Sequence, residues 1–120
     1  MAAFRLYYYQ TATGERPFVD WVAGLTDMQA RARIEARLAR VATGNLGDVE
    51  SVGEGVMELR IDWGPGYRVY FSKLGRVIVL LLCGRDKRTQ QKDIDVAKAY
   101  FKDYKARSAK LAKKTPRGRS

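Results

Sequence analysis

The stretch ELRIDWGPGYRVYFSKLGRVIVLLLCGRDKRT, residues 58–89, predicts three consecutive β-strands and the loop that leaves the third. In the first two strands, residues 56–62 and 67–73, apolar residues alternate with charged or polar ones, as in strands that bury one face. The third strand, residues 76–83, is apolar nearly throughout, which is typical of a central strand covered on both faces. Because side chains alternate across a strand, the charged positions of the first two strands should share one face of the sheet.

The segments on either side of this stretch complete the predicted fold. Thr26 and Gln29 have the spacing of a capping box at the start of the longer of two N-terminal helices. Residues 45–55 are rich in glycine and acids and are predicted to form a loop. Other predicted elements are an aromatic strand over residues 4–9, a short helix that begins at Pro17, and a last helix over residues 90–105. We therefore expect an α+β domain of order β-α-α-β-β-β-α. Its sheet should be small, four-stranded and mostly antiparallel, with two N-terminal helices packed on it and a C-terminal helix.

The net charge of +10 is concentrated at the C-terminal end of the 120-residue chain. Residues 105–120 contain seven basic residues and no acidic ones, so residues 1–104 carry only +3. We expect one folded domain over residues 1–107 and a basic, flexible tail over residues 108–120. The tail has two interpretations, an electrostatic arm for ribosomal RNA or a solubilising extension without specific contacts.

The composition excludes several kinds of site. The chain has no histidine and one cysteine, Cys83, so it offers neither a zinc-type ligand cluster nor an internal disulfide. The N-terminus is too short and polar for a signal peptide, and the apolar run of residues 77–83 is far shorter than a membrane-spanning helix. We expect a cytoplasmic protein with no metal, no cofactor and no membrane contact.

The shared charged face is a candidate site for a phosphodiester. It carries Glu58, Arg60, Arg68 and Tyr70, and the loop after the third strand adds Lys87. RNA can be cut without a metal, because its own 2′-OH attacks the adjacent phosphorus and the protein need only orient the backbone, help to move protons and neutralise the phosphate. Arginine suits the last task, since it stays charged and can bind two phosphate oxygens. The same alternation is also typical of the solvated face of an antiparallel sheet, so the pattern alone leaves both interpretations open.

Several segments resemble a known family. GVMELRIDWGPGYRVYF and VIVLLLCGRDKRTQQKDIDVAKAY, supported by PFVDWVAGL and ARARIEARLARVATGNLGD, are similar to the HigB-type killer proteins of the RelE/ParE toxin superfamily over roughly residues 4–104. The resemblance implies a RelE-like fold and a metal-independent endoribonuclease that cleaves mRNA, often on the ribosome. It also implies a cognate antitoxin, commonly a helix-turn-helix HigA-like protein, through which the complex binds operator DNA.

The resemblance also implies roles for single residues. Arg68 matches the arginine that stabilises the phosphate, and Arg60 and Lys87 match two further basic positions. Some relatives move protons with a histidine or a C-terminal tyrosine; this chain has no histidine, so Glu58 and Tyr70 are the candidates. The remaining predicted RNA contacts are Arg85, Arg88 and Lys92, of which the two arginines replace the glycine and the small polar residue that are usual in the family.

Two other functions remain open at this point. One is a ParE-like toxin that poisons DNA gyrase on the same fold, and the other is a catalytically degenerate toxin that serves as a subunit of an antitoxin-repressor complex. The cationic sheet face favours the nuclease, because a gyrase poison does not need to bind a phosphate there.

Overall fold

The computed structural model describes residues 3–86 and 89–114. The elements in these two ranges follow in the order β-α-α-β-β-β-β-α. They are β1 (Arg5–Tyr8), α1 (Pro17–Ala23), α2 (Met28–Ala42), β2 (Val49–Gly53), β3 (Val56–Ile61), β4 (Tyr67–Leu74), β5 (Ile78–Asp86) and α3 (Gln90–Lys114).

The strands form a five-stranded mixed sheet in the order β1-β5-β4-β3-β2. β1 is parallel to β5, whereas the β2–β3, β3–β4 and β4–β5 pairs are antiparallel. The prediction of a four-stranded sheet of order β-α-α-β-β-β-α is therefore wrong. The added strand, β2, lies in the segment that we predicted to be a loop, and it pairs with β3 through a register that shifts between Ser51 and Gly53. Its glycines and acids disfavour a strand locally, but the backbone of β3 supplies hydrogen-bond partners that sequence propensity does not report.

Helices cover both faces of the sheet. On one face, Ile34, Leu38 and Val41 of α2 and Phe18 of α1 pack in a core with Leu59 of β3 and other inward-facing strand residues. On the opposite face, α3 packs against β4 and β5, with Ile94, Ala97 and Phe101 buried. β5 is a central strand that contributes to both cores, as its unbroken apolar sequence predicted. The face that carries the predicted charged positions is thus the face beneath α3.

Three boundaries differ from the sequence-based expectation. α2 is capped by Asp27, whose Oδ1 accepts hydrogen bonds from the backbone N–H groups of Gln29 at 2.9 Å and Ala30 at 3.2 Å. The predicted capping box of Thr26 is therefore wrong, because the neighbouring carboxylate takes the capping role. β5 continues to Asp86, so the start of the predicted loop belongs to the strand. α3 continues to Lys114, so residues 108–114 of the predicted tail are helical.

A set of contacts beyond the middle of α3 ties this helix to the N-terminal strand. Tyr9 donates a hydrogen bond to Asp103 Oδ2 at 2.5 Å, and Arg107 donates to the same carboxylate at 2.8 Å. Arg107 Nη2 also donates to the backbone oxygen of Gln10 at 2.5 Å. The helix is therefore anchored to β1 near its C-terminal end as well as to the sheet along its apolar stripe.

Candidate functional site

A row of three arginines crosses the sheet beneath the start of α3. Arg60 of β3 lies directly opposite Arg68 of β4, and Arg68 lies directly opposite Arg85 of β5. Directly opposed residues project from the same face, so the three guanidinium groups share one side of the sheet. Their side chains are exposed to different degrees, 41% for Arg60, 15% for Arg68 and 64% for Arg85. Adjacent like charges repel, so this row requires anions close by.

Glu58 is the buried anion beside two of these arginines. Glu58 lies two residues before Arg60 on β3, and its side chain has no exposed surface. Its Oε2 accepts hydrogen bonds from Tyr70 Oη at 2.9 Å and from Gln90 Nε2 at 2.8 Å. Its Oε1 accepts from Arg60 Nε at 3.2 Å, and Arg68 Nε lies 3.3 Å from Oε2. One carboxylate therefore joins β3, β4 and the first turn of α3.

This environment holds Glu58 in its charged form. Burial alone would raise the pKa of Glu58, but hydrogen bonds from Gln90, Tyr70 and Arg60 and the charge of Arg68 outweigh it, so the pKa lies below its ordinary value. The pKa of Tyr70 is strongly raised, first by burial and then by its hydrogen bond to Glu58. At neutral pH the pair is therefore a carboxylate and a neutral phenol.

The other two arginines have acidic partners of their own. Arg60 also forms an ion pair with Glu50 of β2, and its pKa is raised by the hydrogen bond to Glu58 and by the charge of Glu50. Arg85 Nε lies 3.5 Å from Oδ1 of the buried Asp93 in the first turn of α3. Both arginines are thus positioned by carboxylates of neighbouring elements.

Arg68 differs from its neighbours because its guanidinium is not fully hydrogen-bonded. Nε and Nη1 are buried and form no hydrogen bond with residues 3–86 and 89–114, although Nε lies beside Glu58 Oε2. Burying N–H groups without acceptors is costly, so an anion close to this guanidinium would be favoured. Arg60 and Arg68 line a cleft of about 240 Å³, together with Asp48, Asp62, Tyr67 and neighbouring backbone. Two carboxylates and two guanidinium groups therefore line the cleft, and an anion there would have to contact the guanidinium side.

The predicted site residues fall into three groups. Arg60, Arg68 and Glu58 are brought together, with Tyr70 beneath them; both Glu58 and Tyr70 are fully buried. The predicted RNA contacts Arg85 and Lys92 are exposed, the first on β5 and the second on the first turn of α3. Lys87 and Arg88 lie outside the described residues.

Two members of the cluster were missed from the sequence. Gln90 donates a hydrogen bond to Glu58, which is distant in the sequence. A glutamine at the start of a helix does not by itself indicate such a contact. Glu50 was assigned to a loop, and its contact with Arg60 exists only because β2 pairs with β3, where Glu50 lies opposite Glu58. Both contacts are set by tertiary structure, so no local pattern could have identified them.

Other features of the described chain bear on the classes of site. In residues 3–86 and 89–114, no group of three or more cysteine or acidic residues converges as a set of metal ligands. No helix in the same ranges is long and apolar enough to cross a bilayer. Cys83 is buried, and burial raises its pKa to about 12, so its thiol is protonated and unreactive at neutral pH.

Comparison with known proteins identifies a relative of this chain. No protein-family model matches the chain. A Haemophilus influenzae protein described only as uncharacterized is 52% identical over 81 residues, which are 68% of this chain and 82% of that protein. Identity at this level over most of both chains indicates common descent. The chain therefore belongs to the same family as this Haemophilus influenzae protein.

Proposed function

We propose that this protein is the toxin of a type II toxin-antitoxin module of the HigB type, a metal-independent endoribonuclease that cleaves mRNA on the ribosome and so inhibits translation. The observation that carries the proposal is the Arg68 guanidinium, which a buried carboxylate holds at the wall of an open cleft and whose Nη1 has no hydrogen-bond partner among the described residues. An RNA phosphate in the cleft would meet the part of the Arg68 side chain that remains exposed.

The proposed reaction uses groups that RNA itself contains. The 2′-oxygen attacks the adjacent phosphorus and the bond from phosphorus to the 5′-oxygen breaks, which leaves a 2′,3′-cyclic phosphate and a 5′-hydroxyl. The proton lost by the 2′-OH is balanced by the proton gained by the leaving 5′-oxygen. Negative charge on the phosphate oxygens grows as the fifth bond forms, and a preorganised guanidinium stabilises that charge. Arg68 takes this role, with Arg60 beside it in the lining of the cleft.

The roles of Glu58 and Tyr70 in the proposal follow from their burial. Neither side chain has exposed surface on which to meet a substrate. Glu58 also has a lowered pKa and Tyr70 a strongly raised one, so neither is suited to exchange a proton near neutral pH. We assign both as positioning residues that fix the direction of the Arg68 guanidinium. Lys87 remains a candidate catalytic residue, and Arg85, Arg88 and Lys92 remain proposed RNA contacts.

The proposal includes partners and location. A cognate antitoxin, a helix-turn-helix HigA-like protein, would neutralise the toxin and carry the complex to operator DNA. The substrate and the ribosome place the protein in the cytoplasm.

The test is to induce the protein in a susceptible bacterium and to map new mRNA ends that carry a 5′-hydroxyl. We expect wild-type protein to create such ends, and Arg68→Ala to reduce them by about 100-fold or more, as for loss of one preorganised donor. Arg68→Lys keeps a positive charge beside Glu58 and so controls for loss of folding. Because lysine lacks the planar guanidinium that binds two oxygens, we expect its cleavage activity to be reduced as well. Arg76→Ala is the matched control, because Arg76 is exposed in the turn between β4 and β5.

A DNA supercoiling assay run in parallel distinguishes the rival functions. Intact mRNA with inhibited gyrase would overturn the proposal in favour of a gyrase poison. Normal growth with intact mRNA would instead favour a subunit of a repressor complex without catalytic activity. Full cleavage by Arg68→Ala would show that the site lies elsewhere.

A further inference from the structure

A second cavity, of about 320 Å³, opens next to the arginine row. It lies between α1, the end of β5 and the first turns of α3. The side chains that bear on its chemistry are Asp20, Trp21, Arg85, Asp93 and Tyr100. Arg85 belongs both to this cavity and to the row, where it lies opposite Arg68. The cavity thus lies at the end of β5 between helices on opposite faces of the sheet, and Arg85 connects it to the row.

The aromatic wall of the cavity is fixed in place. Trp21 lies so close to the backbone of Gly84 that a Cβ atom there would be 2.3 Å from its Cζ3 atom. Its ring centroid is 5.9 Å from that of Phe18 and 6.0 Å from that of Tyr67. Tyr100 stacks on Tyr9 with centroids 4.8 Å apart. Both rings are therefore held before any ligand binds, which favours stacking of a flat ligand.

The polar groups of the cavity include one guanidinium and two carboxylates. Asp93 is buried and accepts a hydrogen bond at 2.5 Å from Thr89, the residue that precedes α3, which fixes its position. Arg85 Nε is 3.5 Å from Asp93, which is longer than a good charge-assisted hydrogen bond and leaves the exposed Arg85 able to turn its donors to a ligand. Asp20 is exposed on α1, on the side of the cavity opposite α3.

We propose that this cavity binds a guanine base, a specificity that rests on the proposed function and places the base next to the phosphate held at Arg68. Guanine presents two adjacent donors, N1–H and N2–H₂, which a carboxylate such as that of Asp20 accepts together. It also presents O6 and N7, two acceptors that an arginine binds as a pair, and Arg85 supplies that arginine. The flat purine stacks against Trp21. Uracil, cytosine and adenine lack both of these paired edges.

Fluorescence of single-tryptophan variants tests the base site without any need for cleavage. Trp63→Phe leaves Trp21 as the reporter, and Trp21→Phe leaves Trp63 as its matched control outside the cavity. We expect 5′-GMP to quench Trp21 with a dissociation constant at least about tenfold below those of AMP, CMP and UMP, and to leave Trp63 unchanged. Asp20→Asn in the Trp63→Phe background should remove most of that preference.

The outcomes separate this inference from the proposed function. Equal quenching by all four nucleotides, or a guanine preference that survives Asp20→Asn, would overturn the assignment. Arg68-dependent RNA cleavage without any quenching of Trp21 would overturn the base site and leave the nuclease proposal standing. Selective quenching by 5′-GMP in a protein that cuts no RNA would support the base site and count against the nuclease.

Discussion

Glu58 shows at the scale of one residue that the charged face is a packed network of ion pairs and not a solvated surface. A carboxylate with no exposed surface is costly to bury unless its charge is compensated and its oxygens accept hydrogen bonds. Here Tyr70, Gln90 and Arg60 donate to it and Arg68 supplies a second positive charge. Glu58 therefore fixes the orientation of the Arg68 guanidinium. We expect that orientation to be lost when the Glu58 carboxylate is removed.

We expect Glu58→Ala to lower the free energy of unfolding by about 3–5 kcal/mol, because it leaves Arg68 largely buried without a counter-charge. Urea unfolding followed by tryptophan fluorescence measures this change. The matched control is Glu50→Ala, which removes the exposed partner of Arg60 and should cost much less. Similar losses in the two variants would contradict the view that burial of the pair gives Glu58 its importance.

The lowered pKa of Glu58 predicts an acid-dependent loss of stability. An unfolded glutamate has a pKa of about 4.3, so in the window below that value the unfolded chain binds the proton more tightly than the folded one. The stabilisation is complete above this pH and disappears as the pH falls through the lower pKa of the folded state. Urea unfolding from about pH 7 to about pH 3 should show wild type losing its advantage over Glu58→Gln. Parallel pH curves for the two proteins would count against a charged Glu58.

At the scale of the elements, the sequence predicted the strands in which apolar and polar residues alternate. It did not predict the strand and the burial that depend on contacts between distant segments. The apolar positions Leu59 and Val69 do share one core, and the charged positions do share the opposite face. The sequence could not show that α3 covers that face, so it did not predict that Glu58 and Tyr70 are both fully buried. Likewise β2 has no strand pattern of its own, because pairing with β3 and a shifted register stabilise it.

The packing of α1 on β5 depends on a glycine whose importance is steric. An alanine Cβ at position 84 would lie 2.3 Å from the Trp21 ring, so α1 would have to move. We expect Gly84→Ala to destabilise the fold by about 1–3 kcal/mol in thermal or urea unfolding. Gly24→Ala is the control, since its nearest atom would be 3.5 Å away.

A double variant checks that the cause is Trp21 and not the backbone. In Gly84→Ala combined with Trp21→Leu, the added methyl group no longer meets the indole ring. The combined loss of stability should therefore be smaller than the sum of the two single losses. Additive losses would place the strain elsewhere.

At the scale of the whole molecule, the candidate site contributes little to the net charge. Glu50, Glu58 and Asp93 accompany Arg60, Arg68 and Arg85, so the row is locally close to neutral. Most of the net charge of +10 comes from residues 105–120, which carry +7. The charge that would attract a polyanion and the proposed recognition at the cleft therefore lie in different parts of the chain.

This separation predicts that the two properties respond differently to mutation. Removing residues 112–120 deletes four basic residues, Lys113, Lys114, Arg117 and Arg119. If each contacts a phosphate, the slope of log binding constant against log salt for a single-stranded RNA should become shallower by up to about 2.8, with the positions of cleavage unchanged. Arg68→Ala should change the slope by only about 0.7 and yet abolish cleavage. Fluorescence anisotropy of a labelled RNA over a range of salt concentrations measures both slopes. An unchanged slope after truncation would mean that the basic tail acts only as a solubilising extension, and that the attraction for RNA arises within the folded domain.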